Sequence, residues 1–138
     1  MEQSELMLGD IVEYANEGLA CFCKVKGIVN GNILLETIKG KGEYVTTIDN
    51  IRSVQLSELF LRINGFLHGT NPARDHDYFD LVIGPGRHVN VIFNNHELSD
   101  IEIYADSRLT STNIKDIHAF QNALRSCGLF KLADALHL

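Results

Sequence analysis

The chain has 138 residues, 45% of them apolar and 22% charged, with a net charge of −6. That suffices for one sizeable core or two small ones, and it is too apolar for a disordered segment. Nucleic-acid affinity without sequence preference comes from lysine and arginine neutralising phosphates, so the acidic balance argues against a polyanion binder.

In chain order, MEQSELMLGD carries neither a basic flank nor an apolar run. No stretch approaches the ~18 apolar residues of a membrane span, so a cytoplasmic chain without a membrane partner is expected. Gly9 to Tyr14, Leu19 to Val29, Ile33 to Ile38 and Tyr44 to Ile48 read as four strands. They are separated by Asn16-Glu17-Gly18, Asn30-Gly31-Asn32 and Lys39-Gly40-Lys41-Gly42, all with turn chemistry. The opening G-D-x-V and the bent apolar strand after it are similar to SH3-like barrels of the KOW or Tudor kind, with Ile51 to Val54 closing the sheet. This is an analogy of fold and says little about function.

From Leu56 the period changes. Ser57 is a good N-cap, Leu59, Phe60 and Ile63 share a helical face, and Asn64-Gly65 supplies the stop, which predicts two helical turns. The polar run His68 to Asp77 reads as a surface loop. Tyr78 to Ile83 and His88 to Phe93 flank Gly84-Pro85-Gly86-Arg87 as a hairpin, and Ser99 to Tyr104 adds a third strand. A helix over Ile114 to Cys127 is predicted to cover this sheet. Thr112 or Asn113 would cap it, Ile114, Ile117, Phe120, Leu124 and Cys127 would line its apolar face, and Gly128 would end it. Leu129 to Leu138 forms a last short helix. The expected fold class is α+β, with an SH3-like β-barrel over 1–55. An α+β unit over 56–138 then joins a helix, a three-stranded antiparallel sheet and a covering C-terminal helix.

The stretches LGDIVEY, IRSVQLSELFLRINGF, NNHELSDIEIY and HAFQNALRSCG carry a resemblance over most of the chain. It resembles a family of small uncharacterised Bacteroidetes proteins met in prophage or mobile-element contexts. That family shows an "L-R-I-G-N-x-V" start, a "P-L-T-E-E-x-L-L-x-x-G-F" middle and an "H-x-L-Q-N" helix. The resemblance implies an accessory protein of a mobile element and assigns no activity, so no catalytic residue is carried over. Ser53-Val54-Gln55-Leu56-Ser57 stands where the family shows a proline-bearing "P-x-P-L-T" run, which implies a less rigid connector here.

Few residues suggest chemistry. Asp75, His76 and Asp77, flanked by His68, Arg74 and Asp80, are the raw material of a metal or hydrolytic site, but Asp75 and His76 are adjacent and point apart. A solvated loop is the favoured reading of them, ahead of a partner-binding loop or a metal site. His96-Glu97 would suit general acid/base work if both faced a pocket; a turn is the simpler reading, with Asn94-Asn95 providing positive φ angles. His118, Gln121, Asn122 and Arg125 form a polar helix stripe, either a partner-binding surface or anchors to neighbouring structure, with Gln121 tucked inward. Lys24, Lys26, Lys39 and Lys41 make the one basic patch. Charge is acidic in both halves, with 5 basic and 8 acidic residues in 1–56 and 7 and 10 in 57–138.

Neither G-x-G pair opens a helix after a parallel strand, so no phosphate loop is expected. Cys21 and Cys23 leave one strand face, which suits neither a redox C-x-x-C nor a zinc knuckle, and Cys127 stands alone. No catalytic residue, cofactor or bound metal is expected. The reading favoured is a non-catalytic interaction module with an unidentified protein partner or self-association. The alternatives are a nucleic-acid-associated factor using the four lysines and, more remotely, a metal-dependent hydrolase.

Overall fold

The computed structural model describes residues 1–71 and 76–138. Ten strands dominate it, arranged as two five-stranded antiparallel sheets. The first sheet contains β1 (Ile11–Asn16), β2 (Leu19–Val29), β3 (Asn32–Thr37), β4 (Glu43–Thr46) and β5 (Ile51–Arg52), in the order β4-β3-β2-β1-β5. The second contains β6 (Leu67–Asn71), β7 (His76–Gly84), β8 (Arg87–Asn94), β9 (Glu97–Tyr104) and β10 (Arg108–Ser111), in simple sequence order. Three α-helices, α1 (Glu58–Ile63), α2 (Ile117–Ser126) and α3 (Phe130–Ala135), and two single 3-10 turns at Gln3–Glu5 and Ile48–Asn50 complete the described fold.

This corrects the expected α+β architecture of an SH3-like barrel followed by a helix and a three-stranded sheet. The first sheet keeps β4 and β5 as separate edges, and β5 is only two residues long, so the barrel is not closed. The second sheet gains β6 and β10, which local sequence conceals. β6 is the polar run LHGTN, and in β10 only Leu109 packs against the core. Both are strands because β7 and β9 offer them a ladder, and tertiary pairing overrides a weak local preference. Residues 72–75, including Arg74 and Asp75 of the expected polar loop, lie outside the described residues.

Three two-residue hairpin turns follow one plan. Glu17-Gly18, Asn30-Gly31 and Asn95-His96 each place two consecutive residues at positive φ. The mirror-image turns that match strand twist require this.

α1 begins as its sequence predicts, with the Ser57 hydroxyl accepting from Phe60 N at 3.2 Å. Its buried face is different: Phe60 and Leu61 are inside, while Leu59 and Ile63 are exposed. α2 starts later than expected, with Asp116 as its N-cap. The cause is an extended contact with the connector, where Leu56 N donates to Lys115 O and Ile117 N donates to Val54 O, at 2.9 and 2.8 Å. Those bonds hold residues 115–116 extended until the helix begins.

The larger core gathers Phe60, Leu61 and Phe66 with the inner face of the second sheet (Phe79, Val89, Val91, Phe93, Ile101, Ile103) and with Ile117, Phe120 and Leu124 of α2. Burial of each such side chain contributes about 1.5–3 kcal/mol. Ile11 of β1 belongs to this core as well. The smaller core holds Val12, Tyr14, Cys23, Val25, Ile33, Leu35 and Ile51, with Tyr14 and Tyr44 stacked at 4.5 Å. Among the described residues, no helix is long and apolar enough to cross a membrane.

Candidate functional sites

The polar stripe of α2 turns inward and ties the helix to the start of β1. Gln121 is fully buried; its Oε1 accepts from Ile11 N at 2.8 Å and its Nε2 donates to Gly9 O and Ala133 O. Arg125 donates to Asp10 Oδ1, Asn122 Oδ1 and Asp134 Oδ1, and Asp10 is itself buried. Asn122 reaches Glu5 O at 3.0 Å, and His118 is 5% exposed. Asn122 and Arg125 are therefore anchors between α2 and the chain around β1, and His118 is buried with its Nδ1 unpartnered among the described residues, so the stripe is not an open partner surface.

A second cluster forms where four segments meet. Glu58 opens α1, His68 lies on β6, Asp77 on β7, and His96 in the β8–β9 turn. His68 Nε2 and Asp77 Oδ1 are 3.0 Å apart, and His96 Nδ1 and Glu58 Oε1 are 3.4 Å apart. One ligating atom each from Glu58, Asp77 and His96 falls within 4.8 Å of the others. Arg62 Nη2 stands 3.4 Å from His68 Nδ1. A guanidinium only donates, so Nδ1 accepts, and the proton sits on Nε2, which donates to Asp77. The His68 ring is also stacked on Phe79 at 4.8 Å. Beside the cluster runs a groove of about 580 Å³ lined by Leu56, Leu59, Phe93, His96, Leu98 and Lys115.

The sequence-stretch candidates thus separate. Asp77 and His96 enter this cluster. His76 alternates to the opposite face of β7, with a buried Nδ1 that has no partner among the described residues, and Glu97 lines the groove. Glu58 escaped sequence reasoning, and His68 entered it only as a flank of the polar run, because they stand 19 and 9 residues from Asp77 and only the docking of α1 and the pairing of β6 with β7 join them.

The third feature is the outer face of the second sheet. Since strand side chains alternate, the core residues on β7, β8 and β9 leave Tyr78, Asp80 and Val82, then His88, Asn90 and Ile92, then Asp100, Glu102 and Tyr104 facing away. No described helix packs there, and Tyr78 and Val82 are exposed. Asp80 pairs with Asn90, and Asn90 with Glu102, so three acceptors stand in one row across the strands. The Asn90 Oδ1 atom is buried and has no partner among the described residues. Aromatic rings border the row. Tyr104 is stacked on His88 at 4.6 Å with the Arg108 guanidinium over it at 4.5 Å, and the Tyr78 ring lies across Gly69, where a Cβ would clash with it.

The four lysines form no single surface of free charge. Lys24 Nζ donates to Asp134 O at 3.1 Å, Lys26 pairs with Glu36 at 3.8 Å, and Lys39 and Lys41 lie within the β3–β4 connection. Cys21 and Cys23 bring their sulfurs to 3.8 Å. Burial first, then the neighbouring Cys21 thiol, pushes the Cys23 thiol up from 9.0 to about 12, which disfavours the thiolate that metal binding and redox exchange require. No family model, curated protein or solved structure matches the chain.

Proposed function

We propose that the chain is a non-catalytic interaction module whose outer face on the second sheet receives a lysine- or arginine-bearing segment of a protein partner. The observation that supports it is the acceptor row Asp80–Asn90–Glu102, in which the buried Asn90 Oδ1 lacks a donor. A buried acceptor without a hydrogen bond costs about 1–3 kcal/mol, and a guanidinium offers five donors to satisfy it between two carboxylates. Directly paired residues bring their Cβ atoms within about 4.5–5.5 Å, a spacing that one extended cationic side chain spans. Tyr78, whose ring is exposed, supplies flat apolar surface on which such a cation stacks. An accessory protein of a mobile element is the biological setting in which such a module would act.

Chemical-shift mapping tests this with a short arginine-rich peptide as the probe. The expected shifts fall on backbone amides of β7, β8 and β9 and vanish in the Asp80→Asn/Glu102→Gln variant. Shifts elsewhere, or shifts that persist in the variant, would overturn the reading.

A further inference from the structure

We propose that Glu58, Asp77 and His96 form a binding site for a divalent first-row cation such as Mn²⁺ or Zn²⁺. The site lies on the opposite side of the second sheet from the acceptor row, so it stands or falls independently of the peptide reading.

The geometry carries the argument. The three residues come from the first turn of α1, from β7 and from the β8–β9 turn, yet their ligating atoms lie within 4.8 Å of one another. A cation about 2.1 Å from each ligand sets neighbouring ligand atoms about 3.0–3.4 Å apart. His96 Nδ1 and Glu58 Oε1 already stand at 3.4 Å. Glu58 and Asp77 are half-buried and His96 is exposed, so the set is open to solvent and to an entering cation. An imidazole with two carboxylates is a nitrogen and oxygen donor set, which suits manganese and zinc better than a thiolate-seeking ion. Three protein ligands leave further positions for water or for a bound group.

The surroundings fit a ligand role. Asp77 accepts from His68 Nε2, and Arg62 fixes the tautomer of that imidazole from the far side. Ligating carboxylates are held in this way by neighbours that orient them. The turn that carries His96 breaks the pattern of its two counterparts. Gly18 and Gly31 occupy the second positive-φ position in the other two turns, whereas here a histidine accepts φ of 64°. Glycine would be the easier residue for that backbone.

That last point gives a clean test, because His96→Gly removes the ligand and suits the turn. Mn²⁺ is titrated into the full chain, and relaxation broadening of backbone amides is followed alongside the melting temperature. Broadening centred on Glu58, Asp77 and the β8–β9 turn is expected. So is at least a tenfold loss of Mn²⁺ affinity in His96→Gly, with a melting temperature no lower than that of the natural chain. Zn²⁺ by calorimetry should show the same loss in His96→Gly and in Glu58→Gln. Equal affinity in the natural chain and His96→Gly, no binding below millimolar Mn²⁺, or broadening centred elsewhere would overturn the proposal.

Discussion

At the scale of single residues, the strongest commitments are polar. Arg125 and Asp10 form a buried pair between α2 and the segment leading into β1. Removing one member of such a pair leaves the other charged and unpaired, which costs about 3–5 kcal/mol. Arg125→Ala should therefore shift the denaturant midpoint strongly downward. Gln121→Ala should lose about 1–3 kcal/mol, since Ile11 N would be left without its acceptor. Cys23 sets a pH dependence. Its folded pKa lies above its unfolded value, so its contribution is complete below pH 9 and is lost as pH rises toward about 12. Stability measured by urea unfolding should fall across that alkaline window in the natural chain and fall less in Cys23→Ala. A flat profile in both would contradict the assignment. The sequence pattern placed Gln121 inward correctly but left the direction of Arg125 open, because a helical stripe does not say what it faces.

At the scale of elements, local chemistry and tertiary pairing divide the outcome. Ser57, Asn64-Gly65, the Asn-Gly turn at 30–31 and the apolar spacing of α2 all act within a few residues, and each left a readable mark. The β6 and β10 strands act only through their neighbours, and nothing in LHGTN or RLTS marks a strand until β7 and β9 are present. The same holds for the cluster of Glu58, His68, Asp77 and His96, whose members share no local spacing. α2 gives the test at this scale. Phe120→Ala and Leu124→Ala should each cost about 2–5 kcal/mol, because both side chains are fully buried against the second sheet. Leu59→Ala, at an exposed position of α1, should stay within about 0.5 kcal/mol in the same denaturant titration. Comparable losses at all three positions would mean that the packing of α1 and α2 is misassigned.

At the scale of the whole molecule, α2 is the common wall. Its apolar face packs on the second sheet, its polar stripe holds the segment entering the first, and Ile11 of the first sheet sits in the larger core. The outer face of the second sheet is left to solvent or to a partner, and charge decides which. With a net charge of −6 and with Lys24 and Lys26 already engaged, duplex DNA has little to hold. Even four lysine–phosphate contacts give a log–log salt slope of only about −3.6. No useful binding of generic duplex DNA is expected at about 0.15 M salt by fluorescence anisotropy. The central claim, that the Asp80–Asn90–Glu102 row receives a cationic protein segment, is tested most directly by reversing its charge. A labelled arginine-rich peptide is titrated at about 0.15 M salt into the natural chain and into a folded Asp80→Lys/Glu102→Lys variant, a salt level at which only close charges stay unscreened. The account predicts saturable binding to the natural chain and at least a tenfold loss in the variant, whereas equal affinity for the two proteins would contradict it.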